Sequence, residues 1–171
     1  MCWPVLSARA DFQVIAIVST ISGSELQVSG TLDLDLSEAA ETAIDKGVPV
    51  VVQIRLALYR HRPLVWDKKL SQWSVRFRIR YHGLSGRYIV DNDREDGIES
   101  FASIQQALQF VGDLGPWTLE LPEGQDSGGR FRLAVRTRLD IESLPAPLRP
   151  LAYTSPAWRL DSRWTQWRPE S

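Results

Sequence analysis

Between Leu70 and Val90 the chain leaves little freedom in how it can fold. Trp73, Val75, Phe77, Ile79 and Tyr81 alternate with Ser74, Arg76, Arg78, Arg80 and His82. A strict period of two is what a strand with one dry face and one wet face requires. His82-Gly83-Leu84-Ser85-Gly86 follows, with two glycines free to take positive φ. Pairing His82 with Arg87 sets Tyr81 opposite Tyr88 and Ile79 opposite Val90, and closing the loop at Gly83 and Gly86 gives the same register. The stretch therefore predicts a β-hairpin with an aromatic inner face and an arginine-lined back.

The rest of the chain reads mostly in the same period. Phe12, Val14, Ala16 and Val18 alternate with Gln13, Ile15 and Ile17; both faces are apolar, which predicts a central strand. Ser22-Gly23-Ser24 marks a turn. In Glu25 to Leu36, Leu26, Val28, Leu32, Leu34 and Leu36 point inward and Gly30 marks a bulge. Ser37 caps a short helix over residues 38–46, with Gly47 after its end. Val48 to Tyr59 predicts a third strand, broken at His61-Arg62-Pro63. Beyond the hairpin come a polar turn at residues 91–97, a short strand at 98–101 and a helix over 104–111 capped by Ser103. An alternation follows at Trp117, Leu119 and Leu121, then a glycine-rich loop at 123–129. In Phe131 to Asp140, Phe131, Leu133, Val135, Thr137 and Leu139 alternate with Arg132, Ala134, Arg136 and Arg138. Three prolines between Leu144 and Pro150 forbid a ladder. A last strand is expected over Trp158 to Trp164, with Trp167 and the tail fraying.

Seven or eight short strands with two brief helices predict a mostly β fold, an antiparallel β-sandwich, immunoglobulin-like or similar, or a partly closed barrel. The sequence has 171 residues, 43 % of them hydrophobic, enough for one domain over residues 11–167 followed by a tail at 168–171. One cysteine, Cys2, excludes a disulfide framework and a cysteine-based zinc site. The first ten residues carry two open readings. Ser7-Ala8-Arg9-Ala10 has the small-x-small pattern of a signal cleavage site, so they are either the stub of an export signal or an unstructured or edge-strand N-terminus.

Few groups here suit chemistry. His61 and His82 are the only imidazoles, and His82 reads as a solvated turn residue. No serine sits in a nucleophile elbow and no glycine loop has phosphate-cradling spacing. The acids at 91–96 lack the spacing and terminal glutamate of a calcium loop. No catalytic residue, metal or cofactor is expected. The candidate binding surface is the arginine stripe: Arg76, Arg78 and Arg80 on one strand, Arg132, Arg136 and Arg138 on another, with Arg55 nearby. It reads either as a solvated sheet face neutralised by Asp33 and Asp35, or as a platform for an anionic membrane surface or an acidic patch of a membrane protein. Nucleic acid is excluded as a partner, because net charge is −1 and no aromatics interleave with the arginines. Trp158, Trp164 and Trp167 read either as an aromatic partner surface or as the finish of the core. The leading expectation is a non-catalytic binding or accessory module. The alternatives are a small-ligand binder with an aromatic-lined pocket between the sheets, and an enzyme of unrecognised type.

Several runs carry a family resemblance. They are residues 73–90, Leu32-Asp33-Leu34-Asp35-Leu36-Ser37, Phe101-Ala102-Ser103-Ile104, residues 138–145 and Ser155-Pro156-Ala157-Trp158-Arg159-Leu160. From about Ala16 to Trp167 the chain resembles a proteobacterial family with no assigned activity, the domain of unknown function numbered four-three-nine-zero. The resemblance implies an exported protein with a signal or N-terminal anchor, acting in the periplasm or at the inner membrane. It also implies gene neighbourhoods that include a membrane-bound sensor histidine kinase. It names no site residues.

Overall fold

The computed structural model describes residues 11–62, 64–94, 97–123 and 130–170. It contains nine strands in two antiparallel sheets with no closed barrel, so the sandwich expectation holds. The strands are β1 (Phe12–Ser22), β2 (Glu25–Leu34), β3 (Val50–Arg60), β4 (Lys68–His82), β5 (Arg87–Asn92), β6 (Ile98–Phe101), β7 (Asp113–Glu120), β8 (Phe131–Leu139) and β9 (Thr165–Trp167). The smaller sheet has the order β1-β2-β7 and the larger the order β6-β5-β4-β3-β8-β9. Among the described residues there are also three α-helices, α1 (Glu38–Asp45), α2 (Ile104–Gly112) and α3 (Arg149–Thr154), and short 3-10 turns at Ile141–Ser143, Ala146–Leu148 and Pro156–Trp158.

The hairpin has the register the turn predicts: His82 opposite Arg87, Tyr81 opposite Tyr88, Ile79 opposite Val90. The Tyr81 and Tyr88 rings lie 5.1 Å apart and tilted, a favoured aromatic geometry. Val75, Phe77 and Ile79 are buried in a core that runs between the sheets. Both helices form where their caps predict. Ser37 accepts from the Ala40 amide and Ser103 from the Gln106 amide, and Gly47 takes positive φ just past α1. The Tyr88 hydroxyl donates to Asp45 at 2.7 Å, fixing α1 to β5; that bond is the main cause that pushes the phenol up to about 12. Helix α2 spans from β2 to β5 and β6, covering one open side of the sandwich.

Three expectations change. β1 is an edge strand, and β3 takes the interior place. A bulge between Val14 and Ala16 reverses the phase of β1, so Ile17 and Ile21 turn inward with Ser19, while Ile15 (57 %) and Val18 (58 %) are exposed. Its apolar residues on both faces thus belong to a bulged edge strand rather than to two covered faces. Opposite it, Gly30 approaches so closely that a Cβ would run into the Ala16 carbonyl and the Ile17 side chain, as the bulge reading of Gly30 requires. Secondly, no strand covers Trp158 to Trp164: Trp158 ends a 3-10 turn, Asp161 makes only an isolated antiparallel bridge to Arg138, Arg163 has a φ of 58°, and the next strand is β9. Thirdly, the end of the chain is held. The Ile21 amide donates to the Glu170 carbonyl at 3.0 Å and the Glu170 amide to that of Ser19 at 2.7 Å, so the tail crosses from the larger sheet to the smaller.

Candidate functional site

Three adjacent strands build the arginine face, and register decides its layout. On the outward side of the larger sheet, Gln53 of β3 lies between Arg76 of β4 and Arg138 of β8, and Arg55 lies between Ser74 and Arg136. Arg78 stands opposite Val51 on one side and Asp91 on the other. The structure therefore brings Arg76, Arg78, Arg80, Arg132, Arg136 and Arg138 onto one surface, with Arg55 at its centre. Val51, Gln53, Ala57 and Ala134 also face this side and are buried, so the middle of the sheet is covered on its outward side too.

Asp33 and Asp35, expected as neutralising partners, belong to the other sheet and its continuation. The carboxylates that meet the arginines come from elsewhere. Asp91 lies 3.6 Å from Arg78 and 3.9 Å from Arg80, and Asp140 lies 3.9 Å from Arg76. Asp67 lies 3.3 Å from Arg132 and also 2.9 Å from His61 Nδ1. Arg136 donates through both Nε and a terminal nitrogen to the two oxygens of Asp161, with Nε at 2.8 Å. Such a forked pair is the strongest guanidinium–carboxylate geometry. It holds the Asp161 carboxyl below its ordinary range and Arg136 above its own. The His61 hydrogen bond is the first cause that lowers Asp67.

Five of the seven guanidiniums thus share four carboxylates. Among the described residues, no carboxylate lies within ion-pair distance of Arg55 or Arg138. The Nε of Arg138 donates to the buried Gln53 amide oxygen at 3.1 Å instead. Burial, then repulsion from Arg138 and Arg136, pulls Arg55 below the ordinary arginine range. A cation destabilised in this way is stabilised by an arriving anion.

The smaller sheet has the opposite character. No lysine or arginine occurs in β1, β2 or β7, whose exposed positions include Glu25, Asp33, Asp113 and Glu120. Glu25 and Glu120 stand directly opposite each other. Nearby Glu41 is raised, first by burial and then by Asp35, Asp45 and Glu38.

The three tryptophans do not form one surface. Trp158 is 5 % exposed and belongs to the core, so it is closed to a partner. Trp167 sits opposite Leu133 on β9 and packs against the core; Trp164 is the exposed ring of the three. Asp91 and Asp93 are taken up by the hairpin, Asp93 accepting from the Arg76 amide at 2.9 Å; residues 95 and 96 lie outside the described residues, as do residues 1–10. His82 is exposed, with Nδ1 3.0 Å from the Ser85 hydroxyl. One cavity of about 320 Å³ has aromatic walls, formed by Phe77, Phe110 and Trp117, with the Arg94 guanidinium 5.1 Å over the Trp117 ring. The Leu64-Val65-Trp66 tip of the β3–β4 connection is exposed, although no alternation points to it. Its legible signal was three apolar residues directly before Asp67-Lys68-Lys69.

Residues 9–168 match the family described as a domain of unknown function (DUF4390), and the chain belongs to that family. No curated protein and no solved structure matches it.

Proposed function

We propose that the protein is a non-catalytic binding module that docks on anionic phospholipid through the outward face of its larger sheet. The observation that carries this reading is the electrical contrast between its two sheets: surplus guanidiniums around Arg55 on one, and on the other three strands that carry carboxylates and no lysine or arginine. A molecule with net charge −1 gains little from long-range attraction as a whole, but a polarised one presents a single side to a negative surface. Export to the periplasmic side of the inner membrane, and an accessory role beside a membrane sensor kinase, are part of the proposal. The small-x-small run at Ser7 to Ala10 supports the first; the family resemblance supports both. Among the described residues no helix is long and apolar enough to cross a membrane.

Flotation with phosphatidylglycerol vesicles tests the docking. Each basic residue near such a surface contributes about 1 kcal/mol, so Arg76, Arg78 and Arg80 changed to Ser weaken binding roughly a hundredfold. Added salt weakens the wild type in the same direction. Equal flotation of variant and wild type refutes the reading. The aromatic cavity supports a second reading, a site for a small apolar ligand. A fluorescence titration with aromatic solutes that leaves Trp117→Phe and wild type indistinguishable removes it.

A further inference from the structure

We infer that Leu64, Val65 and Trp66, at the tip of the β3–β4 connection, form a membrane-insertion site that enters the headgroup–acyl boundary of an anionic bilayer. The inference deepens the proposed docking and rests on phospholipid, not an acidic protein, being the partner. Three consecutive apolar side chains are exposed there, Leu64 at 106 % and Trp66 at 92 %. Exposed hydrophobics are common singly, but a contiguous set at a protruding tip marks an interaction surface. The fold draws no burial from them, and Leu64 has a φ of 78°, a backbone region that favours glycine. Unfavourable backbone is thus used to present apolar groups to water.

The tip stands on a fixed base. Tyr59 pairs with Lys69 and Arg60 with Lys68. The His61 amide donates to the Arg130 carbonyl at 2.7 Å, and Asp67 is held between His61 and Arg132. Since Arg132 belongs to the arginine face, the base of the tip is joined to that face. Exposed Arg62, Lys68 and Lys69 flank the apolar residues, and the last two are among only three lysines in the sequence. The one acid in the connection, Asp67, is already engaged. Cations around an apolar tip bearing tryptophan match a surface with negative headgroups above hydrocarbon. Because Leu64 and Trp66 stand almost wholly in solvent, the tip suits a deformable lipid layer that can enclose them.

The test uses vesicles of phosphatidylglycerol and phosphatidylethanolamine with the full chain, its Leu64→Ser/Val65→Ser/Trp66→Ser variant, Trp66→Phe, and the Arg76/Arg78/Arg80→Ser variant. The tip variant is expected to bind about tenfold more weakly and to lose the binding that persists in about 0.5 M NaCl. Its thermal midpoint is expected to match the wild type, since the replaced side chains are exposed. Lipids brominated on their acyl chains should quench wild-type tryptophan emission, and Trp66→Phe should remove most of that quenching while still floating. Unchanged flotation of the tip variant, or equal quenching in wild type and Trp66→Phe, overturns the inference. Loss in the arginine variant alone leaves the docking face standing without the insertion site. Loss in the tip variant alone leaves the insertion site without the face. A wild type that binds no vesicle overturns both.

Discussion

The two sheets turn unlike faces to solvent, and the difference comes from how each is placed. The smaller sheet has three strands, and β2 alone is flanked on both sides. Its outward residues include Gln27, Thr31, Asp33 and Thr118, all exposed, beside the exposed Val18 of β1. In the larger sheet β3 is flanked by β4 and β8 and is buried on both faces, with Arg55 as its half-exposed break. Arg138 donates there to the buried Gln53, so charge and packing are coupled. A cation in that setting cannot relax fully into water, which is why Arg55 is destabilised while the acids of the smaller sheet are mostly left to solvent.

The sharpest way to break this comparison is to enlarge one outward residue on each sheet. Ala57→Leu on β3 is expected to cost roughly 1–3 kcal/mol by overpacking, because Ala57 has no exposed surface. Gln27→Leu on β2 should stay within about 0.5 kcal/mol. Urea unfolding measures both, and equal costs would mean that the outward side of β3 is no second core.

Next in size is the Arg136–Asp161 pair. Its folded-state carboxyl is depressed, so its stabilisation is present above the ordinary carboxyl value near 3.8 and is lost as pH falls through the folded value. Asp161→Asn should lower stability by about 1 kcal/mol or less near neutral pH, since the pair is partly solvated. Its midpoint should converge with the wild type once acid has protonated Asp161, at a pH below the ordinary carboxyl range. A gap that persists undiminished in acid would assign the loss to something other than charge. The smallest effect belongs to the smaller sheet: Glu120→Lys replaces a like-charge cross-strand pair with an opposite one and should stabilise by a few tenths of a kcal/mol in thermal melts. No gain at low salt would mean that Glu25 and Glu120 already avoid each other.

The alternation at Trp73 to Tyr81 and at Phe131 to Leu139 fixed which side chains lie dry and which guanidiniums share a face, because a strand's side-chain period is two whatever it packs against. Ser37, Gly47 and Ser103 marked their helix ends, and the glycine turn marked the hairpin register, since each acts over a few residues. Tertiary structure alone decided that β1 carries a bulge and lies at an edge, and that Glu170 closes on Ser19 and Ile21. It alone chose Asp140 and Asp161 over Asp33 and Asp35 as partners of the arginines. Those outcomes depend on which distant strands become neighbours. That choice is made by the summed burial of whole faces, which a local pattern does not contain.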